Sequence, residues 1–450
     1  MKQQAARYLS LDFLRGLTIF GMVLSAIQPH GVMPGWMYHV QNPPPTHDLN
    51  MMVAGIGWVD LVFPIFIFCM GAAIPFAKPS PKSIFGRFVM LWLFSYLYVF
   101  INSSNSWVTL AGFAALFPLY MVFKTPPRIF GREVSVLAVR CVGLALLVGV
   151  IAVNHYFFGE VISVQRRGII IFLLAFLYLF GSLIWYYTRE NLSGRCAAFA
   201  MILAFTLVTQ YKEWPTITYA NENIRWWFNV EYIYFLLLML PATYIGDLLK
   251  KRISANVPVY DSSNIKMAPV LALLCFALVA WMTFAFYMQI YWWNLGVSAV
   301  LSGAIYYIVK RYFPQYVAVV QMAICLIAAG EIMEPYGGGI KKVPCTIQYC
   351  LATSGMAMML LVVADYVCHK IPGSLLVKVF SGAGKNPLMC YIAFDCLVLP
   401  LMNVTGAVAL YRMAYPQGVH WAGFVRSVAV VFCTMWVVKL FTGKKIFWKA

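Results

Sequence analysis

Apolar stretches of about 20 residues recur from one end of this sequence to the other, and they restrict its fold more than any other feature. A helix of about 20 apolar residues is long enough to cross a bilayer. Only 11% of the 450 residues are charged, whereas soluble domains carry about 25%, and no polar stretch is long enough for a separate soluble domain. The sequence therefore predicts an all-α polytopic membrane protein in which residues 1–450 form one integral membrane domain.

The apolar stretches predict about fourteen transmembrane helices. The spans with the weakest signal are 107–123 and those in the crowded region 268–332, so eleven to thirteen spans also fit the sequence. The predicted spans are 11–28, 57–77, 84–101, 107–123, 134–153, 168–187, 194–210, 230–249, 268–288, 292–310, 316–332, 345–366, 386–408 and 421–442.

The positions of the basic residues predict the orientation of these spans. An even number of spans puts both termini on one side. With the N-terminus inside, 24 of the 33 Lys and Arg residues lie in inner segments or at inner span ends, eight lie on the outer side, and Arg140 lies mid-span. This bias follows the positive-inside rule. We therefore expect both termini to be cytoplasmic, and we interpret the net charge of +18 as an orientation signal rather than a nucleic-acid-binding surface.

Several other kinds of segment and site have no signature in the sequence. The first apolar run contains Asp12 and Arg15 and lacks an A-x-A-like cleavage site, so we interpret it as a retained span rather than a signal peptide. The eleven cysteines lie mostly within spans and show no paired CxxC spacing, so no disulfide framework is predicted. No HExxH motif, Cys/His cluster or acidic pair at ligand spacing predicts a metal site.

The most unusual polar segment is "YHVQNPPPTHD" in the outer loop 29–56, which holds two of the six histidines. Three consecutive prolines keep this segment extended. A neutral imidazole at His39 can accept or donate a proton near neutral pH, although a solvated or packed loop histidine is the simpler interpretation. His47 with Asp48 is a second candidate that looks more like a turn and helix-capping region.

Four further charged positions have two interpretations each. Asp12 and Arg15 share a helix face at i,i+3, either as an ion pair at the membrane edge or with Arg15 binding an anion. Asp60 either fixes the tautomer of a nearby histidine or caps its helix. Arg140 lies deep in an apolar run, where a charge faces a bundle interior or a partner. From spacing alone, an enzyme and a transporter both fit this sequence.

Six segments in order resemble the heparan-alpha-glucosaminide N-acetyltransferase family of transmembrane acyltransferases. Regions 88–155 and 268–335 match that family poorly, and its separate N-terminal lumenal domain is missing. The segments are "SLDFLRGLTIFGMVL" with the following histidine loop and "GWVDLVFPIFIFCMGAAI", "VQRRGIIIFLLAF", "LPATYIGDLL", "GGGIKKVPCTIQYCLATSG" with its K-x-P-x-T-x-x-Y pattern, "GKNPLMCYIAF" and "GKKIFWKA".

The resemblance implies transfer of an acetyl group from cytoplasmic acetyl-CoA to an amino sugar across the membrane, with no metal. It implies that a loop histidine is catalytic, and His39 matches because it follows an aromatic pair and precedes the DLVFP span. His47 stays an alternative because it is nearer that span. We expect Asp60 and Asn386 to act with the histidine, and the acceptor to be bound by Trp36, Gln28, Gln165, Arg166 and His47.

The same resemblance implies where the co-substrate binds. CoA is polyanionic and cannot cross hydrocarbon, whereas its uncharged arm can enter a tunnel through the bundle. We expect cofactor-binding residues on the inner side at Asp12, Arg15, Lys385, Lys444 and Lys445. His39 then either deprotonates the acceptor amine or carries the acetyl group itself. The family has an asparagine near the position of Ala26, which this sequence lacks; Gln28 lies close by.

Two alternatives remain open at this point. The number of spans and the ionisable residues within them also suit a transporter or flippase for a glycan or lipid precursor. The same scaffold suits O-acylation of a cell-envelope sugar. We expect the chain to be bacterial and to lie in the inner (plasma) membrane among its lipids, since no lumenal domain or organelle signal is present. The resemblance suggests a homodimer.

Overall fold

The computed structural model describes residues 8–123, 127–129, 132–211, 226–261 and 264–449. Within these residues, 13 helices are long and apolar enough to cross a membrane, which confirms the predicted all-α polytopic class. The helices are α1 (Leu9–Ile27), α2 (Trp58–Ala77), α3 (Pro81–Phe100), α4 (Ser106–Tyr120), α5 (Val136–Phe158), α6 (Ile169–Thr188), α7 (Leu192–Tyr211), α8 (Glu231–Tyr234), α9 (Leu236–Ser254), α10 (Ala268–Met288), α11 (Tyr291–Tyr312), α12 (Val317–Ile332), α13 (Ile347–Lys370), α14 (Leu375–Gly384), α15 (Pro387–Ala393), α16 (Leu399–Thr405), α17 (Val408–Met413) and α18 (His420–Gly443).

Short non-α elements connect these helices. A 3-10 turn spans Gly35–Met37, and a π-helical turn at Phe394–Val398 joins α15 to α16 into one continuous span. Two-residue strands β1 (Arg128–Ile129) and β2 (Arg132–Glu133) pair in antiparallel fashion between α4 and α5. A second 3-10 turn, Pro314–Tyr316, leads into α12.

The predicted span 107–123 is the one without a full-length helix in the structure. Helix α4 has 15 residues, about 22 Å at 1.5 Å per residue, which is shorter than the bilayer core of about 30 Å. It nevertheless returns the chain to the face that carries the C-terminal tail, because Lys449 N donates to Tyr120 O at 2.9 Å and Val122 N donates to Phe447 O at 2.9 Å. With α4, the described residues contain fourteen candidate crossings, and Tyr8 and Lys449, near the two ends of the described chain, line one cavity at the same end of the bundle.

We call the end of the bundle where α1 begins the N-terminal face, and the opposite end the far face. Helices α1 and α2 run antiparallel between the two faces. A side chain at Gly21 of α1 would meet Val62, near the start of α2, and Arg15 donates to the carbonyl of Cys69, deeper in α2, at 3.0 Å. The start of α2, with Asp60, is therefore at the far face, and Arg15 is near the N-terminal face.

The centre of the bundle is formed by α1, α2, α9 and α13. In the most apolar 18-residue stretch of α13, 89% of the residues are buried, whereas 11% are buried in the corresponding stretch of α5. Helix α13 is therefore central, and α5 is peripheral with most of its side chains exposed. Helix α1 is also packed inside the bundle, with 61% of its corresponding stretch buried.

A close approach of backbones positions the loop after α14. A Cβ at Gly384 would lie 1.9 Å from the carbonyl oxygen of Asp12, and a Cβ at Gly16 would lie 2.0 Å from the carbonyl oxygen of Phe380. Only glycine leaves room for α1 and α14 to come this close. The contact places Lys385 and Asn386, which follow Gly384 directly, beside the N-terminal face end of α1.

The expected mid-span position of Arg140 is wrong. Helix α5 begins at Val136, so Arg140 lies one turn from its start, at the N-terminal face. There its exposed side chain lines an open cavity with Lys78 and Lys449. Helix α5 continues to Phe158, five residues beyond the predicted end of the span, so Arg140 lies near one end of the helix rather than in its middle.

Candidate functional site

The loop 29–56 folds against the far face of the bundle and presents His39 there. Tyr38 anchors it: its hydroxyl donates to Pro29 O at 2.5 Å and accepts from Met33 N at 3.0 Å. The 3-10 turn Gly35–Met37 ends directly before Tyr38. An anchored tyrosine after a tight turn gives the next residue, His39, a fixed direction.

His39 and Asp60 form the central pair of the site. Nδ1 of His39 lies 2.5 Å from Oδ1 of Asp60. The Asp60 side chain is 3% exposed, whereas that of His39 is 35% exposed, so the imidazole is the accessible member. A carboxylate only accepts hydrogen bonds, so the proton of a neutral His39 ring lies on Nδ1 and the lone pair lies on Nε2. That arrangement is what a base or a nucleophile needs.

The Asp60 side chain also caps α2, as the second of its predicted roles requires. Its Oδ2 accepts from the backbone N–H of Gly57 at 3.0 Å and from that of Val40 at 3.3 Å. The hydroxyl of Tyr349, on α13, donates to the backbone carbonyl of Asp60 at 2.7 Å. A buried carboxylate held by several donors is a rigid partner for the imidazole.

Lys342 completes this cluster, and the sequence analysis did not identify it. Its Nζ lies 3.3 Å from Nδ1 and 3.4 Å from Nε2 of His39, and 3.9 Å from Oδ1 of Asp60. Burial lowers the pKa of Lys342, and the nearby Asp60 carboxylate partly opposes that shift. The lysine is the K of the K-x-P-x-T-x-x-Y segment, which is the signal that could have found it.

Gln41 fixes the loop of Lys342 against the loop of His39. Its Nε2 donates to the carbonyl of Val343, and the N–H of Val343 donates back to Gln41 Oε1 at 2.9 Å. Gln41 is only 4% exposed, and its side-chain amide binds Val343 as a second backbone amide would. Because Val343 follows Lys342 directly, this contact holds the ammonium beside the imidazole. We call His39, Asp60 and Lys342 the far-face cluster.

His47 has a different environment from His39. Its Nε2 accepts from Gly31 N at 3.0 Å, and the centre of its ring lies 4.1 Å from that of the tilted His30 ring. Burial, followed by the proximity of His30, lowers the pKa of His47. A neutral ring with its acceptor nitrogen used by the backbone serves to fold the loop. The structure therefore gives the carboxylate partner to His39 and not to His47.

The predicted acceptor-binding residues separate into two groups. Trp36 is 49% exposed and lies three residues before His39. Gln28 is buried and donates from Nε2 to Met37 O at 2.7 Å, so this amide braces the loop. Arg166 instead pairs with Glu160 at 2.5 Å, and Gln165 is an exposed neighbour in that loop. The contacts of Arg166 stay within its own loop rather than reaching the far-face cluster.

At the N-terminal face, a cavity of about 260 Å³ enters the bundle between α1, α2, α3 and α6. We call it the inner cavity. Asp12, Arg15 and Lys385 line it, as expected of cofactor-binding residues. Arg15 is held in place by Asp12 at 3.2 Å and by the carbonyl of Gly384 at 3.2 Å. Most of the remaining wall is apolar.

The inner cavity extends far towards the far-face cluster. Along α1 it is lined from Leu11 to Met22, about 16 Å at 1.5 Å per residue. Of the α2 residues that line the inner cavity, Phe66 is nearest to the far face. Phe66 is six residues from Asp60, or about 9 Å along the helix. The described residues thus bring the cavity and the cluster near each other along the same two helices.

Three predicted residues lie elsewhere. The amide of Asn386 is occupied by the C-terminal tail: Nδ2 donates to Ile446 O at 3.1 Å and Oδ1 accepts from Trp448 N at 3.0 Å. It is at the N-terminal face, a helix length from His39, so it is a structural clamp rather than a partner of the histidine. Lys444 and Lys445 are exposed, and Lys449 takes their predicted place in the cavity wall.

Comparison with known proteins gives a family but no activity. No curated protein matches the chain. The profile of one family, DUF5009, described as a domain of unknown function, matches residues 7–249, which is more than half of the 450 residues. The match includes His39, Asp60 and Arg15, and it ends before Lys342 and Lys385. The chain therefore belongs to the DUF5009 family.

Proposed function

We propose that this protein is a membrane acetyltransferase that takes an acetyl group from acetyl-CoA at the N-terminal face and passes it to an amino sugar at the far face. The observation that carries the proposal is the His39–Asp60 pair, in which a buried carboxylate bonds Nδ1 of the half-buried imidazole and leaves the lone pair on Nε2. The cation-lined inner cavity on the opposite side supports it. The bias of Lys and Arg supports a cytoplasmic N-terminal face, and the proposal assigns the protein to the inner membrane of a bacterial cell.

The geometry of His39 suits two routes of transfer. In the direct route, Nε2 takes a proton from the acceptor amine, the amine nitrogen attacks the thioester carbonyl, and the carbon–sulfur bond breaks. The imidazolium then returns the proton to the departing thiolate. In the second route, Nε2 attacks the thioester itself, the carbon–sulfur bond breaks, and the thiolate takes a proton from the Lys342 ammonium. The amine then displaces the imidazole from the acetyl group, and the proton that the amine loses returns to Lys342. Asp60 orients the ring in both routes.

Lys342 balances the charge of Asp60 in this site. With the carboxylate and the ammonium 3.9 Å apart and a neutral His39, the far-face cluster has no net charge. Burial lowers the pKa of Lys342 and so makes its ammonium a stronger acid. The ammonium is therefore suited to donate a proton to the departing thiolate.

The inner cavity suits the uncharged arm of CoA. Its walls are mostly apolar, and its cations Arg15 and Lys385 lie near the N-terminal face. A thioester at the end of the arm would reach the level of Met22 and Phe66. The remaining distance of about 9 Å along α2 must open for the transfer, so the proposal requires a movement of the loops that carry His39 or Lys342.

Transfer of a labelled acetyl group tests the proposal. Purified protein is incubated with acetyl-CoA labelled in the acetyl group and with glucosamine, and N-acetylglucosamine is counted. We expect transfer by the wild type, its loss in His39→Ala, and its retention in His155→Ala, which changes an exposed histidine outside the site. Transfer by His39→Ala at the wild-type rate would remove His39 from the mechanism.

The remaining outcomes separate the alternative functions. Label in an ester rather than an amide would assign O-acylation of a sugar hydroxyl. Absence of CoA release with any amino or hydroxyl sugar, together with substrate-dependent flux in liposomes, would replace the enzyme by a transporter. A single cysteine introduced at position 39 in a cysteine-free background, and modified from the cytoplasmic side only, would reverse the proposed orientation.

A further inference from the structure

A second, larger cavity opens at the N-terminal face beside the inner cavity. Its volume is about 930 Å³, and we call it the open cavity. The turn between α2 and α3, the end of α4 and the start of α5 form its walls. It shares Ala77, Arg87, Tyr178 and Lys449 with the inner cavity, so the two are neighbouring compartments with a common wall.

The open cavity carries an excess of positive charge. Lys78, Arg87, Arg140 and Lys449 line it, and none of the described residues in its wall carries a carboxylate. Cations around one cavity repel one another, and an anion bound among them would reduce this repulsion. None of these four residues was assigned to a binding site from the sequence.

Arg87 lies in the common wall, and no acidic residue in the described part of the chain forms an ion pair with it. Its guanidinium lies 4.5 Å from the centre of the Tyr178 ring, a cation–π contact. Its Nε is buried and has no hydrogen-bond partner among the described residues. A buried guanidinium donor without an acceptor is costly, and an oxyanion in either cavity would satisfy it.

The start of α3 adds a favourable dipole to the same cavity. Ser80 caps this 20-residue helix by accepting from Ser83 N at 3.4 Å, and both serines line the open cavity. The N-terminal end of a helix favours a bound anion. Lys78 is fixed directly before it, because its N–H donates to Ile74 O at 3.1 Å in the left-handed C-cap of α2.

We infer that the open cavity binds the phosphate groups of a nucleotide whose arm enters the inner cavity. The inference rests on the proposed function, and it assigns the phosphates to Lys78, Arg87, Arg140 and Lys449 instead of Lys444 and Lys445. The shared chemistry is a phosphate ester attached to a longer, less polar group. An anionic lipid headgroup has this chemistry too, and the test separates these two sources.

The first arm of the test measures binding of adenosine 3′,5′-bisphosphate, a nucleotide phosphate without any arm. Equilibrium binding of the labelled compound is compared between wild type, the double variant Lys78→Gln/Arg140→Gln, and Lys82→Gln. Lys82 is exposed on α3 and lies outside both cavities, so it is a matched control. We expect the double variant to bind about tenfold more weakly or worse, and the control to bind like wild type. Equal binding by the double variant overturns the inference.

The second arm identifies a lipid as the occupant. Wild type and the double variant are reconstituted in nanodiscs of phosphatidylcholine, with or without phosphatidylglycerol, and retained lipid is counted by native mass spectrometry. Loss of retained phosphatidylglycerol in the double variant, with nucleotide binding unchanged, assigns the cavity to lipid and overturns the nucleotide inference. Unfolding temperatures of the variants, which change exposed side chains, check that the fold is intact.

Failure of this inference and failure of the proposed function give different results. Binding of the bisphosphate requires no transfer. If it depends on Lys78 and Arg140 while no acceptor is acetylated, the phosphate site stands and the acetyltransferase function falls. If acetyl transfer occurs while the double variant binds and reacts like wild type, the function stands and the phosphate site falls.

Discussion

Replacement of Asp60 by asparagine is the sharpest test of how the far-face cluster works. Three donors converge on its two oxygens: His39 Nδ1 at 2.5 Å, Gly57 N at 3.0 Å and Val40 N at 3.3 Å. Asparagine has the same shape but offers one oxygen, so at least one of these donors faces an amide NH₂. Losing one hydrogen bond to a charged acceptor costs about 1.5–3 kcal/mol, and we expect the free energy of unfolding to fall by that amount.

The expected effect on acetyl transfer is larger and has a different origin. When the new amide donates to Nδ1 of His39, the ring proton moves to Nε2, and the base can no longer accept from the substrate. A correctly placed base contributes about 10²- to 10⁴-fold to a rate. We therefore expect Asp60→Asn to lower the transfer rate by about that factor, or about 2.7–5.4 kcal/mol in activation free energy.

The assay is single-turnover transfer of labelled acetyl from acetyl-CoA to glucosamine, with thermal unfolding measured on the same samples. Asp48→Asn is the control, because Asp48 is exposed in the same loop and its loss should change neither quantity. A folded Asp60→Asn protein that transfers acetyl at the wild-type rate would refute the role of the carboxylate as the group that sets the His39 tautomer.

Three further predictions follow from individual contacts. Because burial lowers the pKa of Lys342, we expect acetic anhydride to label it with a pH midpoint below the ordinary lysine value of about 10.4, measured by mass spectrometry. Gly384→Ala would place a Cβ 1.9 Å from the carbonyl of Asp12 and should destabilise the protein by about 1–3 kcal/mol or more, while Gly373→Ala, in open space, should not. Burial raises the pKa of Glu334 from 4.5 to about 7, so the folded state holds the extra proton. The contribution of Glu334 to the free energy of unfolding is then largest below pH 4.5 and falls by at most about 3 kcal/mol as the pH rises through 7. Glu334→Gln should flatten this pH dependence, as measured in unfolding scans.

The membrane-spanning helices could be predicted from the sequence because their signal is local. A run of about 20 apolar residues is long enough by itself, and thirteen of the fourteen predicted spans correspond to long apolar helices. The exception is 107–123, where Pro118 lies near the end of α4 and the helix stops at Tyr120. The evidence that α4 returns the chain to the N-terminal face is the pairing of Met121, directly after the helix, with Trp448 of the C-terminal tail.

The far-face cluster could be predicted only where its members are near in sequence. His39 and Asp60 are 21 residues apart, and a loop returning to the next span brings them together. Lys342 is 303 residues from His39, and no periodicity predicts which two outer loops meet. The reciprocal bonds between Gln41 and Val343 decide that meeting.

The basic residues of the N-terminal face could be predicted as a group but not one by one. Charge bias assigned them to one side, and Arg15 and Lys385 do line the inner cavity. The tail then exposes Lys444 and directs Lys449 into the wall, because Trp448 is buried between α3 and α4 and Asn386 binds its backbone. Tertiary packing of one tryptophan therefore decides which tail lysine faces the cavity.

The two faces differ in how their charges are compensated, and this difference bears on which chemistry belongs to each. In the far-face cluster, Asp60 is compensated by Lys342, so a neutral His39 needs no charged ligand to be stable there. In the open cavity, the described wall has cations without carboxylates, so it gains stability from an anion. A charge-balanced site suits proton transfer, and an unbalanced one suits binding of a polyanion. Anion binding that survived removal of the cations, together with proton transfer that survived removal of Asp60, would contradict this division.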